Sequence, residues 1–381
     1  MSTLLKQIQV EKTLDVEEVE RALAELWQET AGGEEVGPDD AVLRARAANL
    51  MVVVTTDAAL TETQETIRRL AVIHPCRAVV MLADREGADS DIEMFVSASC
   101  QTETRAKNAE LSCEEITLVA HGQFTSELPS AGIPLLVPDL PIFLWWQDLQ
   151  RLDDDTFLPL SHSADRLVID SVDLAAMNLH LDSIEQLFSR QGSEAIAVSD
   201  INWARLTSWR ALLANFYDVQ EYRAALAEHE RVKIEYAAPE GNANGIATQA
   251  LLIAGWLASR LDWSIERQTN EEDQTLFFAR KADGSAVSLE LKRVERPEMK
   301  PGRLARVELQ STQNNASFVV QRADNGLHLE THAMIAGRPC PGRTLPVRNR
   351  STAELIAREM EILAKDTTYE AAVRVAGSLG R

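Results

Sequence analysis

The sequence predicts an α/β domain followed by an α+β domain. The first is an N-terminal doubly wound, mostly parallel sheet with an N-terminal helix over residues 1–195, and the second a C-terminal, mainly antiparallel sheet with flanking helices over 196–381. Three observations carry this reading. From Ala47 to about Leu187, short continuous apolar runs alternate with helical patterns, as expected of a sheet covered on both faces. Beyond Asp200 the strand-like runs instead alternate apolar with polar residues, the signature of an antiparallel sheet with one wet face. Finally, 381 residues exceed what one ordinary core holds, so two domains of roughly 150 to 200 residues are the natural prior.

Near the start, "LDVEEVERALAELWQE" sets Val16, Val19, Leu23 and Leu26 on one helical face, with Asp15 and Glu18 in a capping-box pattern. The glycine- and acid-rich stretch Thr30 to Asp40 then predicts a surface loop or linker. The apolar runs "NLMVVVT", "CRAVVMLA", "EITLVA", "PIFLWW" and "DRLVIDS" read as buried strands, and "TETQETIRRLAVI" as an intervening helix. "DIEMFVSASC" reads as an added antiparallel strand.

In "VPDLPIFLWWQD", Pro138 and Pro141 mark the chain entering the sheet, because proline is tolerated at the start of a strand but not in its middle. Successive strand side chains point to opposite faces, so Trp145 and Trp146 cannot share one platform. Trp145 is expected in the core. Trp146, one step nearer the polar "QDLQRLDDD", is expected to lie partly exposed where a partner docks.

In the second half, "DINWARLTSWRALLANFYD" puts Trp203, Leu206, Trp209, Leu213 and Phe216 on one face of a long helix capped by Asp200. "IATQALLIAGWLASRLDW" predicts another through Ile246, Ala250, Ile253, Leu257 and Leu261. The strands "KIEY", "AVSLELKRV", "LARVELQS", "ASFVVQRA" and "LHLETHAMI" alternate: Val287, Leu289 and Leu291 face one way, Ser288, Glu290 and Lys292 the other. A helix through Ala353, Ile356, Met360 and Leu363 and a second, short one from about Thr367 close the chain.

The formal charge of −21 repels phosphate backbones and anionic lipid, which argues against nucleic acid as a partner. No apolar run approaches the roughly 20 residues a bilayer helix needs, and Met1 to Glu11 lacks a signal-peptide pattern, so no membrane association and a cytoplasmic location are expected. Cys76, Cys100, Cys113 and Cys340 show neither a CxxC pair nor zinc-site spacing and read as reduced thiols.

Chemical motifs are sparse. The glycine-rich dinucleotide turn GxGxxG is absent, as are a GxxxxGK[ST] phosphate loop and a GxSxG nucleophile elbow, so no catalytic residue, cofactor or metal is assigned. Asp153 to Asp155 follow a polar segment and read as solvated carboxylates. His328, Glu330 and His332 share a strand face, which suits a transition metal but fits a solvated stripe better. His74 sits at a helix end before Pro75, with Cys76 beside it, where it can meet terminal carbonyls. Asp165, Arg166 and Asp170 flank a strand, Asp170 at the end where ligands bind in such sheets, although capping or ion pairing is the favoured explanation.

Taken in order, "PDLPIFLWWQD", "ADRLVIDS", "DINWARLTSWRALLANFYD", "LLIAGWLASRLDW" and "RTLPVRNRSTAELIAREMEILAKDTTYEAAV" resemble the glucose-6-phosphate dehydrogenase assembly protein (OpcA) family from residue 137 onward. The resemblance implies a non-catalytic allosteric activator that binds glucose-6-phosphate dehydrogenase and favours its active oligomer. Some relatives are regarded as redox-linked, but none of the four cysteines matches a family motif. Aromatic and arginine side chains dominate binding hot spots, which makes Trp146, Arg151 and Arg166 the interface candidates, while Trp203 and Trp209 are expected to pack the second domain. Two alternatives stand beside this reading. One is a sugar-phosphate or other small-molecule enzyme with a degenerate nucleotide-binding fold, using Asp170, His74 and Arg166; the other is a metal-binding structural protein using His328 and His332.

Overall fold

The structure is a computed structural model. It describes residues 2–8, 16–30, 47–102, 110–174, 179, 181–189, 196–242, 244–347, 350–362 and 364–379. The chain forms two compact units. One comprises Met1–Ile169, Arg190–Ser199 and Arg350–Lys365, the other Asp170–Ser189, Asp200–Asn349 and Asp366–Arg381.

The first unit begins with β1 (Ser2–Ile8), α1 (Val16–Thr30), β2 (Ala48–Val54), α2 (Asp57–Ile73), β3 (Cys76–Asp84), β4 (Ser90–Thr102) and β5 (Glu110–His121). It continues with α3 (Leu128–Gly132), β6 (Ile142–Trp146), α4 (Phe157–Ser163), β7 (Arg166–Ile169) and β8 (Ala197–Asp200). The strand order is β1-β4-β5-β3-β2-β6-β7-β8. From β5 through β3, β2, β6 and β7 every pairing is parallel, whereas β4 pairs antiparallel with both β5 and β1. This is the expected doubly wound, mostly parallel sheet with its antiparallel addition. Strand order reverses between β2 and β6.

All seven residues of β2 are buried, as the run "ANLMVVV" requires. Its one polar member, Asn49, accepts the Val137 amide at 2.8 Å and donates to the Val137 carbonyl at 2.9 Å, anchoring the proline-flanked approach to β6. On α1 the stripe Val19, Ala22, Leu23 and Leu26 is buried. Asp15 of the expected capping box and the loop from residue 31 to Asp40 lie outside the described residues.

The tandem tryptophan departs from expectation. Trp145 is 6% exposed and Trp146 0%, so both are core and Trp146 presents no surface to a partner. The chain leaving β6 folds back over the ring: Phe157 of α4 meets it edge-on at 4.9 Å, and its Nε1 donates to the Asp148 carbonyl at 2.5 Å. A polar exit segment therefore does not expose the last strand residue.

The second unit contains α5 (Asp182–Phe188), α6 (Ile201–Arg205), α7 (Thr207–Asn215), α8 (Ala225–Glu228), β9 (Arg231–Ala237), α9 (Thr248–Arg260), β10 (Ser264–Asn270) and β11 (Gln274–Arg280). It goes on with β12 (Ala286–Val294), β13 (Leu304–Ser311), β14 (Ala316–Arg322), β15 (His328–Ile335) and β16 (Arg338–Pro346). The chain returns to the first unit as α10 (Thr352–Met360), packed on α2, and ends in the second with α11 (Thr367–Leu379). The sheet order is β10-β11-β12-β9-β13-β14-β15-β16, mainly antiparallel, with β12 and β9 parallel.

The stretch expected as one long helix after Asp200 breaks at Leu206. There the Trp203 carbonyl receives the Leu206 amide at 3.0 Å and the Arg210 guanidinium at 3.1 Å, instead of the amide four residues on. Its apolar face still holds, with Trp203, Leu206, Trp209, Leu213 and Phe216 all buried. The final helix is longer than expected, at 13 residues. It lies so close to α9 that a Cβ on Gly255 would come 2.3 Å from the Ala372 carbonyl oxygen, so any side chain there separates the two helices. Leu363, expected in the stripe of the preceding helix, lies outside the described residues.

Candidate functional site

In a doubly wound sheet the loops that follow the carboxyl ends of the strands surround a crevice where the order reverses, and that crevice is where ligands bind. Here it lies between β2 and β6. The turn after β2 is Thr55-Thr56-Asp57. Thr56 caps α2 by accepting the Ala59 amide, and Asp57 sits in the first turn. Across the crevice, Gln147 donates its amide to Thr63 Oγ1 at 2.8 Å, and its backbone N–H reaches the Val53 carbonyl at 3.3 Å.

A pyrophosphate needs glycines at this turn, so that backbone amides can close on it, and a helix N-terminus free of negative charge. The threonines carry Cβ atoms where the glycines would be, Asp57 adds a carboxylate, and the Gln147–Thr63 bond spans the opening. These residues do not fit a dinucleotide.

Around the crevice stands a polar network that the sequence reading missed. Arg85, just past β3, donates to Asp148 at 3.3 Å and to Asp154 at 2.6 Å, and Arg151 donates to Asp148 at 3.3 Å. Asp154 also accepts the amides of Thr156 and Phe157 at 3.0 and 2.7 Å, so this member of the acidic run starts α4 rather than standing free in solvent. Asp84, at the tip of β3, meets His121 Nδ1 at 2.9 Å and accepts the amides of Glu86 and Gly87. The bond to His121 leads in holding the Asp84 carboxyl below its ordinary range. Each carboxylate of this network is neutralised by a cation or by backbone donors, an arrangement that fixes loops and supplies no free general base.

The remaining candidates fall elsewhere. Arg166 is 1% exposed, which removes it from the surface: its guanidinium donates to Ser199 Oγ at 2.6 Å and to the Ala364 carbonyl, and Ser199 donates onward to Glu359 at 2.6 Å. Its place at the start of a buried strand, facing polar groups of β8 and the segment after α10, explains the burial. Asp170 forms a two-pronged ion pair with Arg205 at 2.7 Å and caps the following turn through the Val172 amide. His74 closes α2 ahead of β3, and Arg166 begins β7 whereas Asp170 follows it, so Arg166 and Asp170 stand at opposite ends of that strand. Of the three interface candidates only Arg151 reaches the surface, with its side chain 46% exposed.

On β15, His332 Nε2 lies 3.7 Å from Glu330, and His332 is exposed; no group of three metal-ligating side chains occurs among the described residues. Cys76 is buried and Cys340 half-buried, both free thiols; the side chains of Cys100 and Cys113 lie outside the described residues.

A second polar cluster, of which the sequence marks only the helix-capping Asp200, occupies the core of the second unit. Asp200 caps α6 and accepts Ser171 N at 3.0 Å, Ser171 Oγ at 2.6 Å, Asn202 N at 2.8 Å and the Tyr369 hydroxyl at 3.2 Å. Gln249 extends the chain by donating to Asn202 Oδ1 at 2.8 Å. Burial, followed by the nearby Asp170 charge, pushes the Asp200 carboxyl up to about 6.

The fold and site thus define a class: an α/β chain with the strand order of a dinucleotide-binding domain and, among the described residues, no phosphate cradle at its crevice, joined to a largely antiparallel sheet. Residues 67–186 match the family described as the glucose-6-phosphate dehydrogenase subunit N-terminal domain, and residues 196–373 the corresponding C-terminal domain. The chain belongs to this OpcA family.

It is 26% identical over 318 residues to the putative OxPP cycle protein OpcA of Nostoc punctiforme, covering 81% of this chain and 66% of the relative. To the protein of the same description in Synechococcus elongatus it is 28% identical over 323 residues, covering 80% and 68%. The chain therefore spans about two thirds of the length of these relatives. A levoglucosan dehydrogenase structure, in complex with NADH and L-sorbose, superposes with a TM-score of 0.50 at 12% identity over 87% of this chain and 94% of its own. That similarity shows the fold alone.

Proposed function

We propose that this chain is a non-catalytic assembly factor of the oxidative pentose phosphate pathway, acting in the cytoplasm, that binds glucose-6-phosphate dehydrogenase and favours its active oligomer. The observation that carries the proposal is that both domains of the family match, in order, across residues 67–186 and 196–373. A crevice closed by Gln147 and Thr63, at the place where a dinucleotide-binding sheet would hold its nucleotide, supports it. The alternative, a sugar-phosphate enzyme using His74, Arg166 and Asp170, draws less support, since Arg166 is buried against Ser199 and Asp170 is held by Arg205.

Activation requires tighter binding to the active assembly than to the dissociated enzyme; a preference of about 100-fold corresponds to roughly 2.7 kcal/mol of coupling. The carboxyl edge around Arg85, Asp148 and Arg151 is the surface we assign to this contact. Titrating the purified chain into the dehydrogenase, while following turnover and molecular mass, is expected to raise activity together with a shift to a larger complex. Unchanged activity and separate migration at micromolar concentrations would sink the proposal.

A further inference from the structure

The three central strands of the second sheet, β12, β9 and β13, bury one face only. Along β9, Val232 and Ile234 are buried while Lys233 and Glu235 are partly exposed, and β12 and β13 alternate in the same way. The aromatic cluster of Phe216, Tyr217, Tyr222 and His229 packs around Phe318, on the buried face. The opposite face carries the charges.

Register arranges them in a checkerboard. Glu290, Lys233 and Glu308 stand side by side in one row across β12, β9 and β13, and Lys292, Glu235 and Arg306 in the next. On β15 the same two rows hold His332, opposite Val319, and Glu330, opposite Gln321. The side chains lie along the sheet rather than projecting: Lys233 meets Glu235 at 2.7 Å, Arg306 meets Glu308 at 2.8 Å, and Gln321 and Gln310 bond to Arg306 and Glu308 at 2.8 Å each. The side chains of these rows are thus already ordered, which lowers the entropy lost when something docks on them. In a chain of charge −21, these two rows carry as many cations as anions on the three central strands.

This pattern is complementary to itself. A two-fold axis parallel to the plane of the sheet, running across the strands and between the two rows, brings each row onto the other in a second copy. Lys233 then faces Glu235 of the other copy, Glu290 faces Lys292, Glu308 faces Arg306 and His332 faces Glu330, each contact occurring twice. With strands of about 7 to 9 residues at about 3.3 Å each, and eight strands about 4.8 Å apart, the face offers roughly 900 Å² per copy. Two copies would bury roughly 1,800 Å², within the span of stable, specific interfaces.

We propose that this face is a homodimer interface, two copies stacking the open sides of their second sheets about that axis. Cross-strand pairing within one sheet would by itself favour a checkerboard, so the test must separate the two roles. Lys233→Glu sets a new carboxylate against Glu235 of the other copy. The double exchange Lys233→Glu with Glu235→Lys restores opposite charges between copies, yet leaves three acids and three bases in unbroken rows within each sheet.

The experiment is sedimentation equilibrium of the chain alone, with circular dichroism to establish folding. At about 50 mM salt the wild type is expected at twice 42.2 kDa at micromolar concentration, and dissociation should strengthen at least tenfold by about 0.5 M salt, because exposed ion pairs are screened. Lys233→Glu is expected as a folded monomer and the double exchange as a dimer. A wild type that remains monomeric at about 100 μM, a dimeric Lys233→Glu, or a monomeric double exchange overturns the proposal. The dehydrogenase takes no part, so failure here leaves the assembly role untouched.

Discussion

The two sheets are built from the same number of strands but leave opposite opportunities for function. In the first, β2 is buried along its whole length and all of β7 as well, so a side chain can meet a ligand or partner only where strands end and loops begin. In the second, every other residue of β9, β12 and β13 faces out, and a large area of sheet is open to another molecule. Polar chemistry in the first unit therefore collects at the strand tips, around Asp84, Arg85 and Asp148, whereas in the second it spreads across a face. The contrast teaches that an apolar run and an alternating run predict both burial and where binding can occur.

The sharpest way to break this contrast is to truncate one large side chain in each sheet. Trp146→Ala removes a fully buried indole that touches Phe157 and is expected to cost about 3 to 5 kcal/mol in denaturant unfolding. Leu276→Ala, on the open side of β11, is expected to cost under about 1 kcal/mol. Equal costs would mean that the first sheet is not covered on both faces.

A second contrast lies inside the second unit, where two buried groups titrate with opposite effect. Asp200 has a folded pKa of about 6, above the roughly 3.9 of an unfolded aspartate. Between those values the native state binds the proton more tightly, so its contribution is full below about pH 4 and is lost as pH rises to 6. Burial, aided by the Lys281 charge, lowers His229 to about 4, against roughly 6.5 when unfolded. Its contribution is full above about pH 6.5 and is lost as pH falls to 4.

Over pH 4 to 6 the two slopes oppose each other, each on the order of 2 kcal/mol in total. Asp200→Asn is therefore expected to make stability fall more steeply with acid than in the wild type, and His229→Gln to make it fall less steeply or reverse. Melting curves across this window decide it; parallel pH profiles for both variants and the wild type would show that neither group is held as described. The slopes, not the absolute melting points, are the readout, because Asp200→Asn also puts an amide before the donors of Ser171 and Asn202.

Much of the architecture is legible in the sequence. Continuous apolar runs located β2, β3, β5, β6 and β7, and alternation located β9 and β12 to β15, because burial on two faces or one acts on every residue of a strand. The edge strands β10 and β16 were not legible: they are exposed nearly throughout, so no periodicity marks them. Trp146 and Arg166 were misplaced for a related reason. Sequence neighbours predict the environment of a strand end poorly, since what covers it is supplied by Phe157 for one and by Ser199 and the segment after α10 for the other. The Arg85–Asp148–Asp154 network joins residues 63 and 69 positions apart, and no local spacing encodes such a meeting. The Asp200 cluster had one visible signal, an aspartate placed to cap a helix, but its partners Ser171 and Tyr369 are brought in by topology alone.

The smallest expected effect on stability is the most informative about function. Arg151 is half exposed, and its contact with Asp148 at 3.3 Å duplicates one that Asp148 already makes with Arg85. Exposed pairs of this kind contribute about 0 to 1 kcal/mol, so Arg151→Ala is expected to shift unfolding by less than about 0.5 kcal/mol. If the carboxyl edge of the first sheet docks on the dehydrogenase, the same variant should weaken activation several-fold, since a surface arginine at an interface gives up contacts that folding never used. Activation unchanged alongside unchanged stability would remove this edge from the contact. The open face of the second sheet would then be the first surface to examine, and Lys233→Glu, introduced to split a homodimer, would serve there too. Loss of activation in that variant would mean that the dehydrogenase and a second copy use the same face, which competition between dimerisation and complex formation would reveal as a dependence of activation on the concentration of the chain itself.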